Sequence, residues 1–108
     1  MQMKIRGREA SPGIHEHARR RFEFALGRFG GRIQSLTISL ADLNGPRGGV
    51  DKRCLAIVRL VARGRTVVVE DTDASLAVAV DRAADRMGRA VARAVRPGLT
   101  WSPAPMPG

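Results

Sequence analysis

The sequence predicts an α+β fold: a two-layer sandwich in the order β-α-β-β-β-α, its four-stranded mixed sheet carrying both helices on one face. Three observations predict it. Two long segments have apolar residues three and four apart, the helical period, each ended by glycine or proline. Four shorter segments are rich in β-branched residues and alternate or run apolar. The helical segments also separate strand one from strand two and close the chain, so one sheet face suffices to bury both apolar stripes.

Met1 to Arg6 alternates, with Met1, Met3 and Ile5 on one side and Gln2, Lys4 and Arg6 on the other, and reads as a strand. Ser11-Pro12 opens a helix, the serine as N-cap and the proline at the first helical position, where a missing N–H costs nothing. Ile14, Ala18, Phe22, Ala25, Leu26 and Phe29 form its apolar face, and Gly30-Gly31 ends it. Arg32 to Asp42 and Lys52 to Ala62 are strands. Arg63-Gly64 makes a tight turn into a strand from Thr66 to Glu70, and Asp71-Thr72-Asp73 offers N-caps to a helix running from about Ala74 to Arg96. A β-α-β crossover makes strands one and two parallel, and a meander follows. Residues 1–98 form the predicted domain; residues 99–108, proline-rich, read as a disordered tail.

With 108 residues, 44% of them hydrophobic, the chain is one globular domain. It shows no signal-peptide pattern and no apolar run of the roughly 20 residues that span a bilayer, so a cytoplasmic location without membrane contact is expected. The single cysteine, Cys54, agrees.

Nineteen basic against ten acidic residues leave a net charge of +9, and all the cations but Lys4 and Lys52 are arginine. Such a balance attracts polyanions, nucleic acid or an anionic surface, and arginine pairs bidentately with phosphate; codon bias toward arginine accounts for the composition equally well. Placement says more. On the last helix Arg82, Arg86, Arg89, Arg93 and Arg96 line the side opposite Leu76, Val80, Ala83, Ala84, Met87, Val91 and Ala94, and the neighbouring Asp81 and Asp85 can pair with only part of that stripe. Phosphate binding explains it better than a solvated face of mixed sign. The first helix gathers His17, Arg20, Arg21, Phe24 and Arg28; there Phe24 is either a base-stacking group or, the favoured reading, the rim of the core. On strand three, Arg59 shares a face with Leu55, Ile57 and Val61, an open sheet surface or a partner contact.

The glycine-rich stretch Asn44 to Arg53 is tested as a nucleotide loop and fails: no Gly-Lys-Ser/Thr follows, and a strand rather than a helix comes next. It reads as a long hairpin loop in which Arg47, Lys52 and Arg53 form a basic cluster. His15 and His17, two apart on a helix, point away from each other and cannot easily share a metal. No catalytic set assembles, so neither enzyme activity nor cofactor is expected. The RNA-binding candidates are Arg20, Arg21, Arg28, Arg47, Lys52, Arg53, Arg82, Arg86, Arg89, Arg93 and Arg96.

Met1-Gln2-x-x-Ile5-x-Gly7, then Ser11-Pro12, Arg32-Ile33, the run Glu70 to Asp81, Asp85-Arg86-Met87 and Arg89 resemble, in that order, the ribosome hibernation-promoting factor family, which includes ribosome-associated inhibitor A. The likeness covers about residues 1 to 96. It implies a translation inhibitor that sits in the messenger and transfer RNA channel of the small ribosomal subunit and contacts ribosomal RNA through both helices, with Arg21, Arg86, Arg89 and Arg93 on the family's basic positions. The chain departs from the family at Ser75-Leu76, at Gly88 and in the longer, more basic loop of residues 44–53, the marks of a divergent subgroup. Neither the second domain with which long members pair ribosomes nor an acidic tail is expected. A monomer is expected, with a dimer through the open sheet face as the alternative. Two other readings stay open: a general double-stranded-RNA binder, and a protein-interaction module using Leu55, Ile57 and Val61.

Overall fold

The computed structural model describes residues 1–7, 11–42 and 52–95. Its elements are β1 (Gln2–Arg6), α1 (Pro12–Leu26), a 3-10 segment (Gly27–Arg32), β2 (Ile33–Asp42), β3 (Lys52–Leu60), a short 3-10 turn (Ala62–Gly64), β4 (Thr66–Asp73) and α2 (Leu76–Val95). The sheet has the order β1-β2-β3-β4, parallel between β1 and β2 and antiparallel elsewhere, as the crossover and meander require. The expected tail at 99–108 and most of the 44–53 loop, Arg47 included, lie outside the described residues, as does Arg96.

The core is continuous between the sheet and both helices. Phe22 and Leu26 of α1, Met87 and Val91 of α2, and the inward residues Leu36, Ile38, Cys54, Ala56 and Val58 are all buried. Period-two alternation selects these strand residues and sends Thr37, Ile57 and Val68, neighbours across three strands, to the opposite face. The Cys54 thiol is held at about 12, mainly because burial disfavours the thiolate and secondarily through the charge of Asp71, so it packs rather than reacts.

Local chemistry sets the boundaries. Ser11 caps α1, its Oγ accepting from the Ile14 N–H at 3.3 Å. The helix stops at Leu26, three residues before the expected Phe29, where Gly27 begins a tighter turn and Gly30, at φ 49° and ψ −123°, leaves helical backbone altogether. Phe29 still packs against the core, and its ring carries the Arg28 guanidinium 4.8 Å from its centre. Arg63 and Gly64, both at positive φ near 60°, form the central pair of the β3–β4 turn. β4 runs to Asp73 rather than Glu70, so Asp71 to Asp73 pair with Lys52, Arg53 and Cys54 instead of capping. Ser75 caps α2 in their place, its Oγ accepting from the Val78 N–H at 3.3 Å, and Asp73 in turn accepts from the Ser75 N–H.

Gly7 ends β1 at φ 145°, and an added Cβ would lie 2.6 Å from the Leu40 carbonyl oxygen and 2.9 Å from the Leu40 Cβ on β2. Its own carbonyl accepts a hydrogen bond from His15 Nε2 on α1. The glycine of the Ile-x-Gly motif is therefore where β1 touches β2 too closely for any side chain. Gly7→Ala combines a backbone penalty with overpacking and is expected to lower stability by about 2–4 kcal/mol, read as a reduced urea midpoint at unchanged slope.

Candidate nucleic-acid interface

The two helices lie side by side and run in the same direction. His17 of α1 meets Asp81 of α2, Arg21 meets Asp81 and Asp85, and Ala25 meets Gly88, so contacts advance together along both. Gly88 lies at this crossing: a Cβ there would stand 3.4 Å from the Ala25 carbonyl oxygen, a snug contact that leaves little room for anything larger than alanine.

Charge is distributed over this paired surface differently from what the sequence suggests. Asp81 and Asp85 do not neutralise part of the α2 stripe; they are taken by α1. Arg21 donates from Nε to Asp81 at 2.9 Å and from Nη2 to Asp85 at 3.0 Å, and His17 donates to the same Asp81 oxygen at 2.7 Å. Arg21 is thereby only 25% exposed, and the hydrogen bonds to Asp85 and then Asp81 raise its pKa against the effect of burial. Burial pushes the Asp81 carboxyl up, but the bonds from Arg21 and His17 outweigh it and hold the group below its ordinary 3.8.

The stripe is instead anchored to the sheet. Asp71 follows Val67 and Val69 on the helix-facing side of β4 and is only 11% exposed. It accepts from Arg82 Nε at 3.1 Å and from Arg86 Nη1 at 2.9 Å, while Asp73 takes a second bond from Arg82 at 3.0 Å. The bond to Asp71 contributes most to raising the Arg82 pKa. For Asp73 the Ser75 backbone N–H comes first, with Arg82 adding to it, in holding the carboxyl below its usual range. Arg82 and Arg86 are thus half-exposed and already paired. Arg89 and Arg93 are exposed and, among the described residues, meet no acidic partner.

The other candidates sort likewise. Arg20 leans on Glu16 at 3.3 Å yet stays 73% exposed. Arg28 lies beyond the end of α1, so the helical spacing that grouped it with Arg20 and Arg21 does not hold. Lys52 and Arg53 sit at the start of β3, where Lys52 pairs with Asp42 and Arg53 with Glu70, each at 3.2 Å. Phe24 corrects the favoured reading: it is 84% exposed, outside the core altogether. On the far sheet face Leu55 and Ile57 are half-buried, while Arg59 and Val61 are exposed.

Arg32 has a role that spacing did not reveal. Its Nη1 donates to the Val95 carbonyl at 3.2 Å, satisfying the end of α2 from the segment before β2. Among the described residues no group of three or more His, Cys, Asp or Glu could hold a metal, and no helix is long and apolar enough to cross a membrane.

Depressed carboxylates carry a pH signature. A group whose folded pKa lies below its unfolded one stabilises the fold above the unfolded value, and that contribution disappears as pH falls through the folded one. Asp81 and Asp73 both qualify. The melting temperature is therefore expected to drop as pH falls from about 4 toward 2, and Asp81→Asn to flatten that acid limb; thermal scans across this window measure both.

No curated protein matches the chain significantly. Among solved structures it is similar to the Protein Y N-terminal domain of Thermus thermophilus, at 28% identity and a TM-score of 0.67, over 86% of this chain and 98% of that one. It is also similar in fold to a ribosomal subunit interface protein from Coxiella burnetii, at 17% identity and a TM-score of 0.67, covering 87% and 97% of the two chains. The family model described as sigma 54 modulation protein / S30EA ribosomal protein matches residues 1–96, the whole span of the β-α-β-β-β-α unit, and the chain belongs to that family.

Proposed function

We propose that this protein is a ribosome-associated translation inhibitor of the hibernation type. It binds ribosomal RNA in the messenger and transfer RNA channel of the small subunit through the surface of its two helices, and it performs no chemistry. Membership of a ribosomal-protein family and the likeness to Protein Y support the ribosome as partner. The observation that carries the RNA contact is the pair Arg89 and Arg93, exposed and, among the described residues, without acidic partners, on a helix whose other two described stripe arginines are held in place by β4. Fixed neighbours give that surface a rigid shape, and unpaired guanidinium groups give it phosphate-binding capacity.

Sedimentation of the purified protein with small subunits tests this. Co-sedimentation is expected at low salt, with affinity falling steeply as salt rises, because phosphate contacts release counterions. Binding that is insensitive to salt would overturn the RNA reading. A short RNA duplex that competes as well as subunits do would replace it with general double-stranded-RNA binding.

A further inference from the structure

Phe24 is a large apolar side chain standing in solvent on an arginine-rich helix, and its neighbours show what it is suited to hold. It borders an open groove of about 630 Å³ whose other lining residues are Gly13, Glu16, His17, Arg20 and Arg21. The floor is rigid, since Arg21 and His17 are both tied to Asp81. Arg20 lies one turn before Phe24, and the advancing contacts between helices place Phe24 level with Gly88 and Arg89 of α2. The acids nearby are occupied: Glu16 pairs with Arg19 and Arg20, and Glu23 with Arg19.

We propose that Phe24 is a stacking platform for one unpaired nucleobase of the bound RNA, the flanking phosphates lying toward Arg20 on one side and Arg89 on the other. The proposal rests on the RNA-binding reading above and deepens it. It makes single-stranded or bulged nucleotides the element this surface selects, since a base stacked in a duplex has no free face to offer. An aromatic ring accepts the face of any base, while cations on either side of it suit the strand that carries that base. A protein partner with an apolar side chain would use the same ring without needing its aromaticity, and the test separates the two.

The experiment measures small-subunit affinity for Phe24→Ala, Phe24→Leu and Phe24→Tyr, with melting temperatures to show that all fold. Loss of stacking is expected to weaken binding about ten-fold in the alanine variant. The leucine variant is expected to match alanine and the tyrosine variant to stay near the original. A leucine variant that binds like the original would mean an apolar contact and overturn the proposal, as would an alanine variant with unchanged affinity. As a direct reading, Phe24→Trp is placed in a Trp101→Phe chain, and its fluorescence is expected to be quenched by a short single-stranded oligouridylate but not by a duplex of equal length. Equal quenching by both, or by neither, would also overturn it. Unaltered affinity in Phe24→Ala alongside steep salt dependence sinks only the stacking site; salt-insensitive binding sinks the RNA reading itself.

Discussion

Reversing two charges, Arg89→Glu with Arg93→Glu, is expected to abolish co-sedimentation with small subunits while leaving the fold intact. Each charge-assisted hydrogen bond to phosphate is worth about 1.5–3 kcal/mol. Losing two, with repulsion in their place, predicts a drop of roughly a hundred-fold to ten-thousand-fold at low salt. The slope of log affinity against log salt is expected to flatten by about 0.7–0.9 for each contact removed. Stability is expected to change by less than about 1 kcal/mol, since both side chains are exposed and meet no acid among the described residues. A glutamate in the last turn of α2 is mildly unfavourable beside the helix dipole, which limits any gain from relieved repulsion. Sedimentation across a salt series, with circular dichroism as the folding control, reads both quantities. A double variant that is folded and still bound would remove the α2 face from the interface.

The second large effect runs in two directions at once. Asp71 is nearly enclosed and holds Arg82 and Arg86 together. Asp71→Asn removes the charge from between them. The expected cost is about 1–2 kcal/mol, between that of an exposed ion pair and that of a buried one, because the acid is enclosed but the arginines are half in water. Affinity for RNA is expected to rise, and the salt slope to steepen, because Arg86 and in part Arg82 are released to meet phosphate. Arg82 keeps Asp73 and the Thr72 carbonyl, whereas Arg86 keeps only the neutral Glu70 carbonyl, so most of the gain falls to Arg86. Urea unfolding and the salt series measured on one preparation give both signs. A variant that loses stability without gaining affinity would show that these two arginines serve only to fasten α2 to β4.

The element order, the strand pairing and the inward residues were legible because period two and period 3.6 are properties of local sequence. What was hidden depended on distance in space. Asp81 lies one position from Arg82, yet it bonds to Arg21, 60 positions away, because α1 packs against that side of α2. Asp71 was read as a cap because the strand was ended at Glu70; extending the alternation Val67, Val69, Asp71 by one step would have placed it on the helix-facing side. Ser75 was overlooked as the cap because the aspartates before it seemed to suffice. For Phe24 helical spacing leaves both base stacking and the rim of the core open, and its grouping with Arg20 and Arg21 away from the apolar face was the better guide to its exposure. Arg32 belonged to a recognisable motif, but its bond to the end of α2 joins segments 63 residues apart and leaves no local trace.

The strand order leaves β1 and β4 at the two margins of the sheet, each with one row of backbone groups unpaired by another strand among the described residues. Such margins invite a second molecule to add its own strand, a hazard that grows with protein concentration. The two margins are guarded unequally. β1 is only five residues long and carries Lys4 and Arg6, so two such margins repel each other. β4 is longer and has three valines, but it ends in Glu70, Asp71 and Asp73, whose charges are engaged by Arg53, Arg82 and Arg86. The arginines that lock α2 in place thereby mask the acids that would otherwise hold β4 margins apart. The least guarded backbone is therefore the Thr66 to Val69 end, where Val68 is exposed, and Val68→Lys is expected to lower any concentration-dependent light scattering of the pure protein.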